Sequence, residues 1–457
     1  MPVSRWRETV VERVAGGSRF GSLHATDGGE VRVLLVEPDG QCRLLSTSGR
    51  RLESIVEEVG AASWAEREAH DLYGIDFDGH EPMRPLIDHS DGEWRVPVTG
   101  GGVHQVAVGP IHAGVIESGH FRFHAVGERI LLLDLRLFYK HRGLERASEG
   151  APLGEAIVYA QRACGTCAVA NSLAYTLAAE TVLGLESRPA IVRARTVLLE
   201  LERLYSHLND LSAICAGVGF AAGSMAFAAL KERAQRLNRA IFGHRFLFDT
   251  VTVGGSRIQA SAPECRQAAA EVAAIVADAA SAWRELLFNG SVQDRLRGVG
   301  FLTRQQAVRT GAVGPVARAS GLEQDARTGS TELSYTGFRP SRLANPVGDV
   351  SARAELRHVE LQAIGRLLAE LLEDGLEPDQ ASGRLREQRM GCGRVESPRG
   401  ETVCVVEGRS GRVHRFHLRT ASYANWPGLA EAVPGNLLPE FPLINKSFEL
   451  CYACVDR

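Results

Sequence analysis

The chain is built around two Cys-x-x-Cys pairs, Arg162-Ala163-Cys164-Gly165-Thr166-Cys167 and Cys451-Tyr452-Ala453-Cys454. Together the pairs offer four thiolates, soft ligands that suit a soft or borderline transition metal better than calcium or magnesium. The gap from Cys167 to Cys451 is far longer than the roughly 15–20 residues between the pairs of a zinc ribbon. A shared site can therefore form only after the intervening chain has folded, and we expect one metal centre buried inside a large domain.

Length and composition describe a soluble globular protein. The 457 residues are enough for two or three domains and a large core. The net charge of −3 gives no support to nucleic-acid binding, and neither an apolar leader nor an apolar run of membrane-spanning length is present. We therefore expect an intracellular protein with reduced thiols. The cysteines outside the two pairs are interpreted as packing residues: Cys42, Cys215, Cys265, Cys392 and Cys404.

Residues 1–90 are predicted to form a small α+β domain. The pattern from Val31 to Ser46 predicts two strands joined by a Pro-Asp-Gly turn, and the polar sequence from Arg51 to Tyr73 predicts a helix. Charged residues and a run of glycines interrupt the pattern between His89 and Gly102. We therefore place the domain boundary after residue 90.

Residues 91–457 are predicted to form a mainly α-helical domain with peripheral antiparallel β-sheets. Leucines recur at spacings of three and four between Arg188 and Ala216, which predicts a long helix with one face against a core. The remaining assignments are strands within 103–137, helices near 221–242, 263–288 and 352–373, a hairpin over 401–418, and a loop with little regular structure over 311–345.

Both cysteine motifs resemble those of the large, catalytic subunit of nickel–iron hydrogenases. The segments Gly109-Pro110-Ile111-His112 and His141-Arg142-Gly143-Leu144-Glu145 resemble the energy-converting branch, which includes the formate hydrogenlyase large subunit and is homologous to the quinone-site subunit of complex I. The stretch Glu66-Arg67-Glu68 through Gly79-His80-Glu81-Pro82 resembles the small complex I subunit that is often fused ahead of it. Because complex I relatives lack the four cysteines, we favour hydrogen chemistry over quinone chemistry.

The resemblance implies a nickel ion whose partner iron carries carbon monoxide and cyanide. Cys164 and Cys451 would be terminal nickel ligands, and Cys167 and Cys454 would bridge nickel and iron. Since no other cysteine cluster has iron–sulfur spacing, we expect no such cluster in this chain and infer an iron–sulfur partner subunit. By resemblance, that partner docks on membrane subunits, which would make this chain peripheral on the cytoplasmic face of the membrane. Dihydrogen and protons would be its substrates.

The same resemblance suggests two catalytic residues. Glu117 is the candidate proton relay, since the splitting of dihydrogen needs a base. Arg399 matches the family arginine that projects over the open face of the metal pair, where a guanidinium can polarise ligands and position a base. Asn171 stands where the motif often has histidine, and it can donate a hydrogen bond but cannot titrate.

For two further carboxylates, Glu145 and Glu180, the sequence allows two roles each. Glu145 falls where the family has a ligand for a second, structural metal such as magnesium. Arg457 replaces the histidine that usually completes that site, so an arginine–carboxylate contact is the alternative. Glu180 either joins the proton path or pairs with a neighbouring arginine.

The sequence also allows two functions other than that of a hydrogenase subunit. One is a complex I-like NADH/quinone oxidoreductase subunit without nickel. The other is a zinc-stabilised scaffold subunit, because four thiolates also suit structural zinc.

Overall fold

The first unit of the chain combines two helices with small sheets around its own core. The structure, a computed structural model, describes residues 2–88, 95–111, 118–381 and 388–457. Strands β1, β2 and β3 form an antiparallel sheet in sequence order, and β4 pairs with β5 in parallel. The elements are α1 Trp6–Ala15, β1 Arg19–Ala25, β2 Glu30–Val36, β3 Cys42–Ser48, β4 Arg51–Glu53, α2 Ser63–Tyr73 and β5 Asp76–Asp78.

The second unit is mainly helical, with three small antiparallel sheets at its periphery, formed by β6–β8, β9–β11 and β12–β14. Its strands are β6 Val103–Val108, β7 His120–Val126, β8 Arg129–Arg136, β9 Val251–Thr252, β10 Gly255–Ser256, β11 Asp379–Gln380, β12 Met390–Ser397, β13 Gly400–Arg409 and β14 Arg412–Arg419. Its helices are α3 Leu144–Ala147, α4 Ile157–Gln161, α5 Ala168–Leu183, α6 Pro189–Gly217, α7 Ala221–Phe242, α8 Ala262–Phe288, α9 Gly290–Leu296, α10 Arg304–Thr310, α11 Gly314–Ala319, α12 Val350–Leu371, α13 Ala421–Ala432 and α14 Phe441–Phe448.

Helix α6 runs through the centre of this unit and packs against α7, α12 and α14. It begins with Pro189 at the first helical turn, where the missing N–H has no intrahelical acceptor to lose. Nearly every side chain between Ala194 and Leu211 is buried, including charged ones. Because the helix is buried on all sides, its charged side chains must pair with other groups inside the protein. Helix α6 therefore contributes many of the buried polar side chains.

Helix α5 and strand β12 approach each other so closely that only glycine fits between them. A Cβ atom on Gly391 would lie 2.0 Å from the carbonyl oxygen of Ala178, and one on Gly393 would lie 1.9 Å from that of Ala174. Strand β12 therefore runs along α5 toward its N-terminus. This packing brings the end of β12 beside Cys167, the residue that precedes α5.

The two units share an interface between the strands of their sheets. Leu34 and Val36 of β2 pack with Val403 and Val405 of β13 in one apolar cluster. Buried ion pairs reinforce it, since Arg32 Nη2 lies 2.7 Å from Glu407 Oε2. The N-terminal unit is thus docked through both apolar and charged contacts.

The predicted fold class, a small α+β unit followed by a mainly α unit with peripheral antiparallel sheets, is confirmed. The predicted long helices and the 401–418 hairpin are present. The domain boundary after residue 90 falls within 89–94, outside the described residues, and stays a prediction.

One local assignment was wrong. Residues 51–73 are not one helix, because Arg51–Glu53 pairs with the distant β5 and only Ser63–Tyr73 is α-helical. The 311–345 segment has little regular structure, as predicted, apart from the short helix α11. The predicted 401–418 hairpin pairs with a further strand, β12, in a stretch for which no element was predicted. Across the described ranges, every helix falls short of the length or apolar character needed to cross a bilayer.

Candidate metal centre

The four cysteines of the two pairs meet in one cluster. Cys164 and Cys167 precede α5, and Cys451 and Cys454 follow α14. The Sγ atoms of Cys164 and Cys451 are 3.2 Å apart, and the sulfurs of Cys164, Cys451 and Cys454 all lie within 4.8 Å of one another. Cys167 packs in the same cluster, and all four thiols are free. Three of them are buried and Cys451 is half-buried, so one edge of the cluster reaches the surface.

The thiols of the cluster compete for negative charge. Hydrogen bonds from Cys167, Cys451 and Cys454 hold the pKa of the Cys164 thiol well below its ordinary value. The favoured thiolate at Cys164, together with burial, raises the pKa of the Cys167 thiol, and that of Cys451 is raised by the same two causes. Four thiolates can coexist in so small a buried volume only with a cation among them.

Arg142 joins the two cysteine loops. Its Nη2 donates to the carbonyl oxygens of Ala163 and Ala453, each at 2.7 Å, and its Nη1 donates to that of Arg162 at 2.9 Å. Ala163 precedes Cys164, and Ala453 lies between the other two cysteines. Arg142 belongs to the His141–Glu145 motif, but its contact with both loops could not be predicted, because a sequence does not show which backbone carbonyl groups accept hydrogen bonds.

Arg399 lies in the two-residue turn between β12 and β13, with its guanidinium directed at the cluster. Its Nη1 is 3.9 Å from Cys167 Sγ, and its Nη2 is 3.5 Å from Asp210 Oδ1. The Nε atom donates to the carbonyl oxygen of Glu449. Gly314 and Gly400 pack against each other behind the turn, since a Cβ atom on Gly314 would lie 2.3 Å from the Cα atom of Gly400. The turn therefore has a fixed position, with a cation held next to the thiols.

Glu202 of α6 caps the first turn of α5 from outside that helix. Its carboxylate accepts the N–H groups of Val169 and Ala170 at 2.7 and 3.0 Å, two donors that α5 itself cannot satisfy. Burial raises the pKa of Glu202 to about 8, although these N–H groups oppose the shift. Glu202 was not predicted as a site residue. The sequence does contain a signal for it, because the leucine-rich stretch includes three charged residues, Glu200, Glu202 and Arg203.

Two buried polar side chains beside the cluster have no hydrogen-bond partner within the part of the chain that the structure describes. Asn171 lies one helical turn after Cys167, and neither its Nδ2 nor its Oδ1 atom has a hydrogen-bond partner among the described residues. The same holds for the hydroxyl group of Tyr205, a residue close enough to feel the charges of Cys167 and Cys164. Buried polar atoms are rarely left unpaired. Together with four soft donors, these atoms fit a bound metal group that offers further hydrogen-bonding partners.

The other predicted site residues lie apart from the cysteines or outside the described ranges. Glu180 forms a bidentate ion pair with Arg195, with Nη2 to Oε1 at 2.5 Å and Nη1 to Oε2 at 3.0 Å. Two roles were considered for Glu180, a part in the proton path and a pair with a neighbouring arginine. The structure shows the pair with an arginine. Glu145 accepts a hydrogen bond from Arg457 Nε at 2.7 Å. Glu117 falls within 112–117, outside the described residues.

Comparison with known proteins identifies the family. The family model of the 49-kDa subunit of the respiratory-chain NADH dehydrogenase matches residues 217–387 and 380–457, and that of the 30-kDa subunit matches residues 22–98. Formate hydrogenlyase subunit 5 of Escherichia coli strain K12 is 30% identical over 443 residues, with 88% of this chain and 76% of that protein covered. Hydrogenase-4 component G of the same organism is 31% identical, with 91% and 77% covered.

A solved structure agrees on the fold. A chain of the membrane-bound sulfane sulfur reductase, an archaeal respiratory membrane complex, superposes with a TM-score of 0.69 at 22% identity, covering 78% of this chain and 99% of that chain. The protein therefore belongs to the nickel–iron hydrogenase large-subunit family, in the energy-converting branch that is homologous to subunits of the respiratory-chain NADH dehydrogenase.

Proposed function

We propose that Cys164, Cys167, Cys451 and Cys454 hold a nickel–iron centre at which this chain interconverts dihydrogen with protons and electrons. The observation that carries the proposal is the meeting of four free, largely buried thiols from segments nearly 300 residues apart in sequence, with Cys164 Sγ 3.2 Å from Cys451 Sγ across 287 residues. Among the described residues, the donors that meet at this point are cysteine sulfurs, and such soft donors suit a soft or borderline transition metal. The iron is expected to carry carbon monoxide and cyanide.

When bound, such a centre supplies redox-active metals that polarise dihydrogen and exchange two electrons. Arg399 contributes a fixed positive charge at the edge of the cluster, where Asp210 and the Glu449 carbonyl hold it in place. A preorganised charge costs no reorganisation during reaction. The unpaired amide of Asn171 offers a hydrogen bond to the group held by Cys167.

Proton transfer is assigned to Glu117, on the resemblance of its sequence segment alone. A carboxylate suits the task because its pKa can be brought close to the working pH by burial. Glu180 is given no part in this path, since both of its oxygens pair with Arg195.

Electrons are proposed to pass to or from an iron–sulfur partner subunit. The half-buried Cys451 and the exposed Gly165 put one edge of the cluster near the surface, where such a partner could approach. Through that partner, the chain would be held at the cytoplasmic face of a membrane without crossing it.

Two other functions make different predictions for the cysteines. A quinone-type subunit without nickel has no need of four clustered thiols, and a zinc scaffold needs neither the Arg399 cation nor the unpaired Asn171. These features favour the hydrogenase assignment.

The proposal is tested by isotope exchange between dihydrogen and heavy water, which reports on the centre without an electron partner. We expect exchange in the mature chain, its loss in Cys167→Ser and Cys454→Ser, and slow exchange with normal nickel content in Glu117→Gln. Cys215→Ser is the matched control, since Cys215 is buried in the apolar core away from the cluster. Full exchange in Glu117→Gln would disprove the relay assignment, and full exchange in Cys454→Ser would disprove the centre.

A further inference from the structure

Arg457 contacts both units of the protein with one buried guanidinium group. Its Nε donates to Glu145 Oε1 at 2.7 Å, and its Nη2 donates to Glu68 Oε1 at 2.6 Å. Its Cζ atom also lies 4.8 Å from the ring centroid of Tyr423. Glu68 belongs to α2 of the N-terminal unit, whereas Glu145 and Tyr423 belong to α3 and α13 of the second unit. One side chain therefore holds a carboxylate from each unit.

The surroundings of Glu145 do not fit a second metal ion. Besides Arg457, its Oε1 accepts the N–H of Leu418 at 3.0 Å and lies 3.2 Å from His417 Nδ1. Within the described ranges, the only group of three potential metal ligands is the cysteine cluster.

The local charge also opposes a divalent cation at Glu145. His417 stacks on His24 with ring centroids 4.6 Å apart. Burial, followed by the charges of His417 and Arg32, holds the pKa of His24 well below its ordinary value. A divalent ion at Glu145 would be repelled by Arg457, whose guanidinium already donates to Glu145 Oε1, in a region of low dielectric constant.

The segment that contains Arg457 also carries the second cysteine pair. The carbonyl oxygen of Asp456 accepts the N–H of Arg142 at 2.8 Å, and that of Cys454 accepts the hydroxyl group of Thr420 at 3.1 Å. Both contacts are to the second unit. The contact from Arg457 to Glu68 extends the anchoring of residues 451–457 to the N-terminal unit.

We propose that Arg457 replaces a second metal ion as the cation at Glu145 and, through Glu68, makes the seating of residues 451–457 depend on the docked N-terminal unit. Arg457 and Glu68 are positioning residues for Cys451 and Cys454. These contacts anchor residues 451–457 whichever metal the cysteines bind.

The test measures hydrogen–deuterium exchange of the full chain by mass spectrometry, with residues 451–457 and α2 as reporters. Arg457→Ala leaves the buried Glu68 and the half-buried Glu145 without their shared cation, so exchange in both reporters should rise by about tenfold or more. Glu68→Gln keeps the shape of the side chain and removes its charge, and it should accelerate exchange in 451–457 although it lies in the other unit. Guanidinium ion at a sub-denaturing concentration should restore protection in Arg457→Ala but not in Glu68→Gln.

Arg19→Ala is the matched control. Arg19 pairs with Glu401 at 2.9 Å across the same pair of units but does not contact residues 451–457. It should leave exchange in 451–457 unchanged, and α12 should stay protected in every variant. Unchanged exchange in 451–457 of Glu68→Gln, or an equal increase in Arg19→Ala, would overturn the coupling.

The absence of a second metal is tested separately on the wild-type chain. Magnesium addition, and dialysis against a chelator under conditions that leave the nickel content unchanged, should both leave exchange in 451–457 unchanged. Protection that is lost on chelation and restored by magnesium alone would show a metal at Glu145 and overturn the proposal.

Discussion

At the level of single residues, the guanidinium of Arg142 donates to carbonyl oxygens in both cysteine loops. Two of the three acceptors, at Ala163 and Ala453, lie next to cysteines of the two different pairs. A lysine could not reproduce this arrangement, because an ammonium is a point charge and not a planar fork of donors.

We expect Arg142→Ala to loosen the centre without unfolding the chain, since Arg142 is largely exposed. The loss of charged hydrogen bonds should cost roughly 1.5–3 kcal/mol, which corresponds to about tenfold or faster nickel release during dialysis against a chelator. Arg142→Lys should recover only part of the loss. The exposed Arg146 is the control position. Equal nickel retention in Arg142→Ala and Arg146→Ala would contradict the role.

Glu202 should give the stability of the protein a measurable dependence on pH. Because burial raises the pKa of the folded-state carboxyl to about 8, the folded protein binds a proton that the unfolded chain has already lost. Its contribution is fully present below the unfolded-state pKa and disappears as pH rises through about 8, at up to about 1.4 kcal/mol per pH unit. Glu202→Gln should therefore lower the melting temperature at pH 6 only slightly. The main effect of the substitution should be a smaller decrease in melting temperature between pH 6 and pH 8 than in the wild-type chain. An unchanged decline in the variant would show that Glu202 does not titrate there.

At the level of elements, the contact between α5 and β12 sets the distance between Cys167 and Arg399. The contact depends on glycines, because the carbonyl oxygens of Ala174 and Ala178 occupy the space that a Cβ would need. Alanine-rich α5 and glycine-bearing β12 are thus complementary. Their interface transmits any displacement of β12 to the arginine turn.

Gly393→Ala should push β12 away from α5, since its Cβ would lie 1.9 Å from the carbonyl oxygen of Ala174. Overpacking of this kind typically costs about 1–3 kcal/mol or more. We expect a lower melting temperature and a weaker isotope-exchange activity at normal nickel content. Gly154→Ala, where a Cβ meets no atom within 4 Å, is the control. A melting temperature in Gly393→Ala equal to that of Gly154→Ala would contradict the packing.

The elements that could be predicted from sequence are those with a clear local period. The long helix near 188–216 was predicted because its leucines recur at helical spacing. Strand β12 was missed, because Gly391 and Gly393 indicate a loop unless the helix that lies against them is known. Strand β4 was missed because its three residues pair in parallel with β5, and only tertiary structure reveals that partner.

The same division holds for the site. The four cysteines could be predicted because their spacing within each pair is a local feature of the sequence. The contacts made by Arg142, Glu202 and Glu68 could not, since their partners are backbone groups or side chains distant in sequence.

At the level of the whole molecule, the fold brings together two cysteine pairs that are far apart in sequence. The first pair begins the helical core, and the second pair returns to it after some 280 residues, with Cys164 and Cys451 separated by 287 positions. The N-terminal unit is attached by the β2–β13 cluster and by ion pairs from Arg32 and Arg457. The four cysteines can therefore meet only once the second unit has folded.

Infrared spectroscopy of the mature chain in the stretching region of carbon monoxide and cyanide, on a sample whose metals have been quantified, tests the assignment of the centre most directly. We expect diatomic bands with equimolar nickel and iron, and loss of the bands and of both metals in Cys167→Ser. Zinc bound to the four cysteines without any diatomic band would contradict it.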